Sequence, residues 1–535
     1  MPFPSHACPT CKQRRVKCDE ARPVCNRCQK ANLSCGGVRE ACDLIFLNEN
    51  EYAVGRRKRP RGPNLRKFEN LYRSADDALP IEIPPVELQS FYILPALDIP
   101  LDDQALTYFS RYYVEVPHDL PEIVDGHLKY ALANWSYSQP QSILSLAILA
   151  ISHATFGRAR KSHAALGEGC AKYSKALVKI NLALENASEA THDEVLHAVM
   201  LSSFYENSVI DKTSHFSSRV IEIMASRSFA HHDGAMALLS LRRQLNQRTS
   251  CSMELDKLVR RSLIRSLLLR SKPVPAWLRD GSQYREHGFA LELDRCMVSV
   301  AELQHQASNL SMHSASLSIS NKYDEIARLH RLLAEAQTQD EFLAIWANDL
   351  PTEDWYSTHI VQDRGPVETD NRTFDSTIHI YPTVGHAGMW NYYRALRLIV
   401  NGIMLKTLYL LAKSPYSDTQ FLQEAAKLRI QYLADDLCAS VPYALGLVET
   451  HLMAEHNVII VPKLPTSLDR GGKAMTASLL CWPLIIATMI SGISGPHQHY
   501  LRDRLLDVSE IVDDGMLEQI AAGFSTAATG PANRA

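Results

Sequence analysis

Cys8-Pro9-Thr10-Cys11-Lys12-Gln13-Arg14-Arg15-Val16-Lys17-Cys18 runs on through Asp19-Glu20-Ala21-Arg22-Pro23-Val24 to Cys25-Asn26-Arg27-Cys28 and, with six residues between, Cys35. Written as spacings, the stretch is C-x2-C-x6-C-x6-C-x2-C-x6-C, so one C-x2-C-x6-C unit occurs twice and the halves meet between Cys18 and Cys25. Neither half is long enough to bury a core, and segments this short hold a fold through disulfides or metal. The two-residue gaps at Cys8/Cys11 and Cys25/Cys28 let neighbouring thiolates share one tetrahedral ion at about 2.3 Å, a spacing that disulfide geometry does not favour. Six sulfurs are too many for one zinc and too few for two separate four-ligand sites. Both ions reach four-coordination if two sulfurs are shared. The symmetry of the repeat selects Cys8 and Cys25 as the shared pair, with Cys11 and Cys18 completing one ion and Cys28 and Cys35 the other. The expected cofactor is therefore two zinc ions.

The segment resembles the fungal binuclear zinc-cluster transcription factors, and the likeness extends past the cysteines to the basic loop between Cys11 and Cys18, Asp19 after the third cysteine, and the turn proline Pro23. The resemblance implies that Lys12, Arg14, Arg15 and Lys17 enter the major groove of double-stranded DNA at CGG-type triplets, and that the protein regulates RNA polymerase II genes, with metabolic and secondary-metabolite genes as a guess. Arg15 stands where the family most often has lysine, and both side chains donate to guanine O6 and N7. Cysteine-dense segments can also store metal without reading DNA. The concentration of basic residues between Cys11 and Cys18, the repeated spacing and a second basic cluster favour DNA.

Charge along the chain agrees. The net charge of -3 conceals a split: residues 1–67 carry +9 and the remainder -12. A basic head on an acidic body suits a phosphate-binding module joined to a regulatory domain. The run Arg56, Arg57, Lys58, Arg59, Arg61 lies between Gly55 and Gly62; such dense like charge stays solvated and is the expected nuclear-import signal, read by an import receptor, with a solubilising linker as the bland alternative. From Ser74 to Gln104 there is no Lys or Arg, and acidic residues alternate with apolar ones and five prolines. That composition recruits coactivators when exposed, and is also that of a linker wrapped on the next domain. Val38 to Ala75 holds no sustained heptad repeat, which leaves monomer and homodimer both open.

Beyond residue 104 the pattern is helical. Apolar periodicity predicts helices at Ile143 to Phe156, Gly169 to Leu184, Asp193 to Tyr205, Gly234 to Leu245, Met253 to Leu269, Asp324 to Ala336, Trp390 to Leu411, Thr419 to Cys438, Lys473 to Ile490 and Arg502 to Ile520. Gln304 to Asn321, rich in Ser, His and Gln, reads as a disordered insertion. The expected fold is mainly α: a zinc-cluster module at 6–37, a basic then acidic linker at 38–104, a large irregular all-α domain at 105–525 and a disordered tail at 526–535. Four pieces resemble the helical regulatory domain found in one branch of the same family: His231 to Ala235 with Leu238 and Leu239, Tyr381 to Leu398, Ala434 to Gly446, and Leu480 to Leu484. Their strength is their order.

There is no nucleophile elbow, no H-E-x-x-H and no dinucleotide fingerprint, so no enzyme is expected. Gly471-Gly472-Lys473 lacks the remainder of a phosphate loop and reads as a turn before a helix. His497 and His499 alternate and could hold a metal, though surface histidines are the commoner outcome. Trp390, Tyr392, Tyr393, Arg394 and Arg397 could line a pocket or form core plus rim. The longest apolar run, Ile143 to Ile151, is about half of a membrane span, and no membrane partner or signal peptide is expected. Cys42 reads as a bystander. Cys170, Cys251, Cys296, Cys438 and Cys481 read as isolated free thiols mostly in apolar helices, in a reducing compartment, the nucleus.

Overall fold

The computed structural model describes residues 8–35 except 9, 12–13, 15, 20 and 22–23, and residues 99–528 except 116–120, 122–123, 125, 133–138, 211–217, 245–248, 313–318, 361–372, 414–418, 453–457 and 463–472. The chain divides into two compact units, Met1–Leu94 and Pro95–Ala535.

In the first unit the described helix is α1 (Asn26–Lys30), and the core consists of Cys8, Cys11, Cys25 and Cys28 with Cys18 and Cys35 against them. No aliphatic cluster supports it among the described residues, which is the physical reason a module of this size depends on metal.

The second unit is built on two long buried helices. The first is α3 (Ile143–Arg160), which follows α2 (Leu101–Phe109) and a π-helical turn at Ser110–Val114. Ser142 caps α3 by accepting from the Ser145 amide, and Lys161 ends it in the left-handed region at φ 54°. Its apolar residues surround the axis rather than forming a stripe, because α2, α4 (His163–Leu184) and α6 (Asp193–Ser208) all pack on it. Between those last two helices lies the short α5 (Ala187–Ala190), and α7 (Ser218–Arg242) and α8 (Ser250–Leu269) close over α6.

After α9 (Ala276–Arg279) come α10 (Gly288–Met312) and α11 (Ile319–Asn348), then the second buried helix, α12 (Val384–Leu411), capped by Thr383 accepting from the His386 amide. Helices α10, α11, α13 (Gln420–Ala444) and α14 (Lys473–Met489) pack around α12, and α15 (Gly495–Ile511) and α16 (Gly515–Ala528) follow. One apolar core runs through both halves.

Two expectations need correction. The body is mainly α but not all-helical: β1 (Ser357–Ile360) pairs antiparallel with β2 (Thr377–Ile380), and β3 (Val448–Leu452) with β4 (Val458–Pro462). These strands are four or five residues long, too short for alternation to stand out. Gln304 to Asn321 is not an insertion throughout, since residues up to Met312 continue α10 and those from Ile319 open α11, leaving 313–318 outside the described residues. The stretch is polar, yet Ala307 is buried against the core with Leu310 beside it. The isolated cysteines lie mostly in apolar surroundings, as expected: Cys296 and Cys438 are buried and Cys481 packs against the core, while Cys170 and Cys251 are exposed. Among the described residues no helix is long and apolar enough to cross a membrane.

Burial also makes the helical unit acid-sensitive. It pushes His197, fully enclosed in α6, down to about 4 and His379 down to about 3. A histidine kept neutral in the fold but free to protonate near pH 6.5 when unfolded makes the unfolded state bind more protons below that pH. Stability is thus lost as pH falls from 6.5 towards 4, by about 3 kcal/mol from His197 alone. Thermal melts at pH 7 and pH 5 should show a lower Tm at pH 5, and His197→Phe should shrink the gap.

Candidate metal centre and nucleic-acid interface

The two halves of the repeat fold alike at their cysteine pairs. The Cys11 amide donates to Cys8 Sγ at 3.3 Å, and the Cys28 amide donates to Cys25 Sγ at 3.4 Å, so in each half the first cysteine turns back over the second. In the first half the turn continues with Arg14 N to Thr10 O (3.2 Å) and Val16 N to Cys11 O (3.1 Å); in the second it becomes α1. Asp19 organises the start of α1, accepting from the Asn26 amide at 3.1 Å, the Asn26 side chain at 2.6 Å and the Arg27 amide at 3.4 Å. Desolvation works upward on the Asp19 carboxyl, but these donors outweigh it and hold it below the usual carboxylate range. At the far end Asn32 adopts φ 49°, and the Leu33 amide returns to Cys28 O at 3.0 Å, which brings Cys35 back to the cluster. Thr10 Oγ1 donates to Ser34 O at 3.0 Å and ties the first half to this last turn. Thr10 carries no sequence signal for that role.

The sulfurs converge as two overlapping sets, Cys8, Cys11, Cys18 and Cys25 in one and Cys8, Cys25, Cys28 and Cys35 in the other, with all atoms of a set within 4.8 Å of one another. Cys8 and Cys25 belong to both. Sulfur separations are 3.7 Å for Cys8 to Cys25, 3.7 Å for Cys8 to Cys28 and 3.6 Å for Cys11 to Cys25. A tetrahedron with metal–sulfur bonds of about 2.3 Å has edges of about 3.8 Å, so the sulfurs already stand at coordination spacing and far from the about 2.05 Å of a disulfide. The donor set, sulfur throughout, is the one zinc prefers in structural sites. Burial pushes the Cys11 and Cys25 thiols up, and on Cys8 the downward pull of the Cys11 amide is outweighed by burial and neighbouring thiols, to about 12. Packed together without a cation, these groups resist ionisation; a divalent ion reverses that preference and releases their protons.

Of the four basic residues assigned to DNA, Arg14 and Lys17 are described, both exposed, in the segment joining Cys11 to Cys18. Lys12 and Arg15 lie outside the described residues, as do the import run Arg56, Arg57, Lys58, Arg59 and Arg61, the acidic-apolar stretch up to Asp98, Cys42, and Gly471 with Gly472.

The other candidates resolve as structure. Trp390, Tyr392, Tyr393 and Arg394 are buried in the core. Arg394 donates to the Tyr381 hydroxyl (2.8 Å) and the Asn391 side chain (2.9 Å), while Arg397 grips Asp340 through two 2.8 Å bonds. The Arg397 bonds join α12 to α11, and those of Arg394 stay within the core. His497 and His499 sit on α15, each facing an aspartate: His497 lies 2.5 Å from Asp435, and His499, well exposed, 3.5 Å from Asp503. Among the described residues, groups of three or more metal-capable side chains occur only at the six cysteines.

Residues 6–43 match the fungal Zn(2)-Cys(6) binuclear cluster domain. The chain is similar to sterol uptake control protein 2 of Candida albicans, 38% identical over 71 residues that make up 13% of this chain and 10% of the relative. It is similar to transcription activator AMTR1 of Alternaria alternata, 31% identical over 78 residues, 14% of this chain and 10% of the relative. To arginine metabolism regulation protein II of Saccharomyces cerevisiae it is 60% identical over 30 residues, 6% of this chain and 3% of the relative. The chain thus matches a tenth or less of the length of these relatives. No solved structure matches it. Through residues 6–43 this chain carries a fungal binuclear zinc-cluster domain, whose six clustered cysteines bind two zinc ions.

Proposed function

We propose that the protein is a nuclear, zinc-dependent, sequence-specific transcription factor that reads CGG-type sites and regulates RNA polymerase II genes, rather than an enzyme. The observation that carries this reading is the pair of overlapping four-sulfur sets, and it is supported by the exposure of Arg14 and Lys17, the described basic residues between Cys11 and Cys18. Zinc folds the module, and Arg14 and Arg15 then present guanidinium groups to guanine edges while Lys12 and Lys17 neutralise phosphate or touch base. Phosphate contacts supply most of the affinity and base contacts the choice of site. The relatives' names, which speak of sterol uptake and arginine metabolism, support metabolic genes as targets. Arg56 to Arg61 would serve the import receptor, the 74–104 stretch coactivators, and the helical unit, as a regulatory domain, would control the head.

Arg15→Ala should weaken binding to a CGG-containing duplex by about 1–3 kcal/mol and relax discrimination at that base, with zinc content unchanged. Fluorescence anisotropy against matched and mismatched duplexes measures it, and equal binding by wild type and variant would overturn the assignment of Arg15. Affinity should also fall steeply as salt rises. A head that binds no duplex even at low salt would favour the second reading, a helical scaffold whose zinc module contacts protein.

A further inference from the structure

Phe421 of α13 is the most exposed large apolar side chain among the described residues, at 82%, and Leu428 and Tyr432 of the same helix stand 72% and 60% exposed. At about 3.6 residues per turn, these three and the partly buried Ala425 fall within roughly 60° of one another around the helix axis. The opposite face does the packing, with Ala426, Ile430, Leu433 and Leu437 in the core. Single exposed apolar residues are ordinary, but a contiguous stripe with charged edges marks a surface that another chain covers.

The steps along the stripe, four residues, then three, then four, are those of a heptad seam, with Phe421 and Leu428 at d and Ala425 and Tyr432 at a. The positions beside it carry opposite charges, Glu424 at g and Arg429 at e, both exposed. If two copies of α13 run parallel, each g faces the next e of the other copy, so Glu424 meets Arg429 twice by symmetry. An antiparallel pair sets g against g and e against e, and neither charge meets its opposite. The charges therefore select the parallel arrangement. Their present partners leave them available. Glu424 accepts from Lys427 at 2.7 Å in an exposed pair of the weak kind, and Arg429 reaches Asp340 at 3.1 Å with a guanidinium whose five N–H groups can serve a second carboxylate. The seam stops after Tyr432. Its next d and a positions are Asp435, held by His497, and Ala439, buried in this chain. A seam of under two heptads makes a weak, concentration-dependent contact rather than a permanent one.

We propose that the exposed face of α13 is a dimerisation seam on which a second copy of this chain docks, parallel and in register about a two-fold axis, with Glu424 of each copy against Arg429 of the other. Phe421, Leu428 and Tyr432 then lose their exposure to water against their own counterparts. A dimer joined through α13 carries two zinc modules without needing a heptad repeat between Val38 and Ala75. The seam lies wholly in the helical unit, so it stands or falls independently of DNA binding.

The test uses the full, zinc-loaded chain. Sedimentation velocity over a concentration series should show a reversible monomer–dimer equilibrium. Leu428→Glu, at an exposed position, sets like charges against each other in the middle of the seam and should weaken self-association at least tenfold while the Tm stays at the wild-type value. Phe421→Cys and Leu428→Cys test the register. Under mild oxidation each should give disulfide-linked dimer beyond the level that the exposed Cys170 and Cys251 give in wild type, because a parallel seam sets every d position against itself. Lys427→Cys, which lies off the seam, should stay at the wild-type level. A chain that remains monomeric throughout, as it would if the face receives another protein's helix, would overturn the proposal, and so would a dimer indifferent to Leu428→Glu. Cross-linking at only one of the two seam positions would show an antiparallel pair and overturn the parallel register.

Discussion

A zinc chelator should abolish duplex binding and unfold residues 8–35, while the far-UV signal of the helical unit stays in place. Zinc in small structural modules contributes roughly 10–16 kcal/mol, and here that binding energy is the folding energy, because the module's core consists of the cysteines themselves. The helical unit has its own apolar core and loses nothing of it. The overlapping sets sharpen the expectation for single substitutions. Cys8→Ser or Cys25→Ser removes a sulfur common to both sets and should reduce metal content from two ions towards none. Cys18→Ser or Cys35→Ser removes a sulfur from one set only and should leave about one ion at saturating zinc. Native mass spectrometry reads the difference directly, and identical zinc loss in all four variants would exclude the shared-sulfur assignment.

Arg260→Met should destabilise the helical unit by about 3–5 kcal/mol, the usual cost of stripping one partner from a buried ion pair. Arg260 has no exposed surface; its guanidinium reaches both Asp294 carboxylate oxygens at 2.7 and 2.9 Å, the Leu278 carbonyl at 2.8 Å and the Arg279 carbonyl at 3.0 Å, and it lies over the Tyr284 ring. Methionine fills much of the volume but leaves Asp294 charged and buried, with two carbonyls deprived of their donor. Gly281 lies against the same carboxylate, and a β-carbon there would collide with Asp294 Oδ2. Gly281→Ala should therefore destabilise through the same pair. The double variant Arg260→Met/Asp294→Leu should recover part of the loss, since both charges are then gone. Chemical denaturation of wild type, both single variants of the pair (Arg260→Met and Asp294→Leu) and the double variant separates the pair's contribution from that of the surrounding packing.

How much of this was legible beforehand depended on the range of the interactions involved. The sharing of Cys8 and Cys25 followed from counting sulfurs against coordination number, and the sulfur geometry has the same arrangement. The buried helix read from Ile143 to Phe156 lies within α3, and Trp390 to Leu411 within α12, because near-continuous apolar runs of that length have few other ways to satisfy their backbone. Gly288 to Met312 forms α10 although its polar second part, from Gln304, reads as an insertion, since packing rather than local composition decides a polar helix. The aromatic and arginine cluster at Trp390 to Arg397 reads more readily as core plus rim than as a pocket, and the partners Asp340, Tyr381 and Asn391 identify it as core.

The sequence by itself determined the metal, its stoichiometry and the basic segment beside it, because zinc chemistry is set by ligand type and short-range spacing that 28 residues contain in full. Tertiary structure alone decided what the histidines and arginines of the helical unit do. Arg260 stands 34 residues from Asp294 and Arg397 57 from Asp340, and His197 owes its lowered pKa to what packs around it after folding.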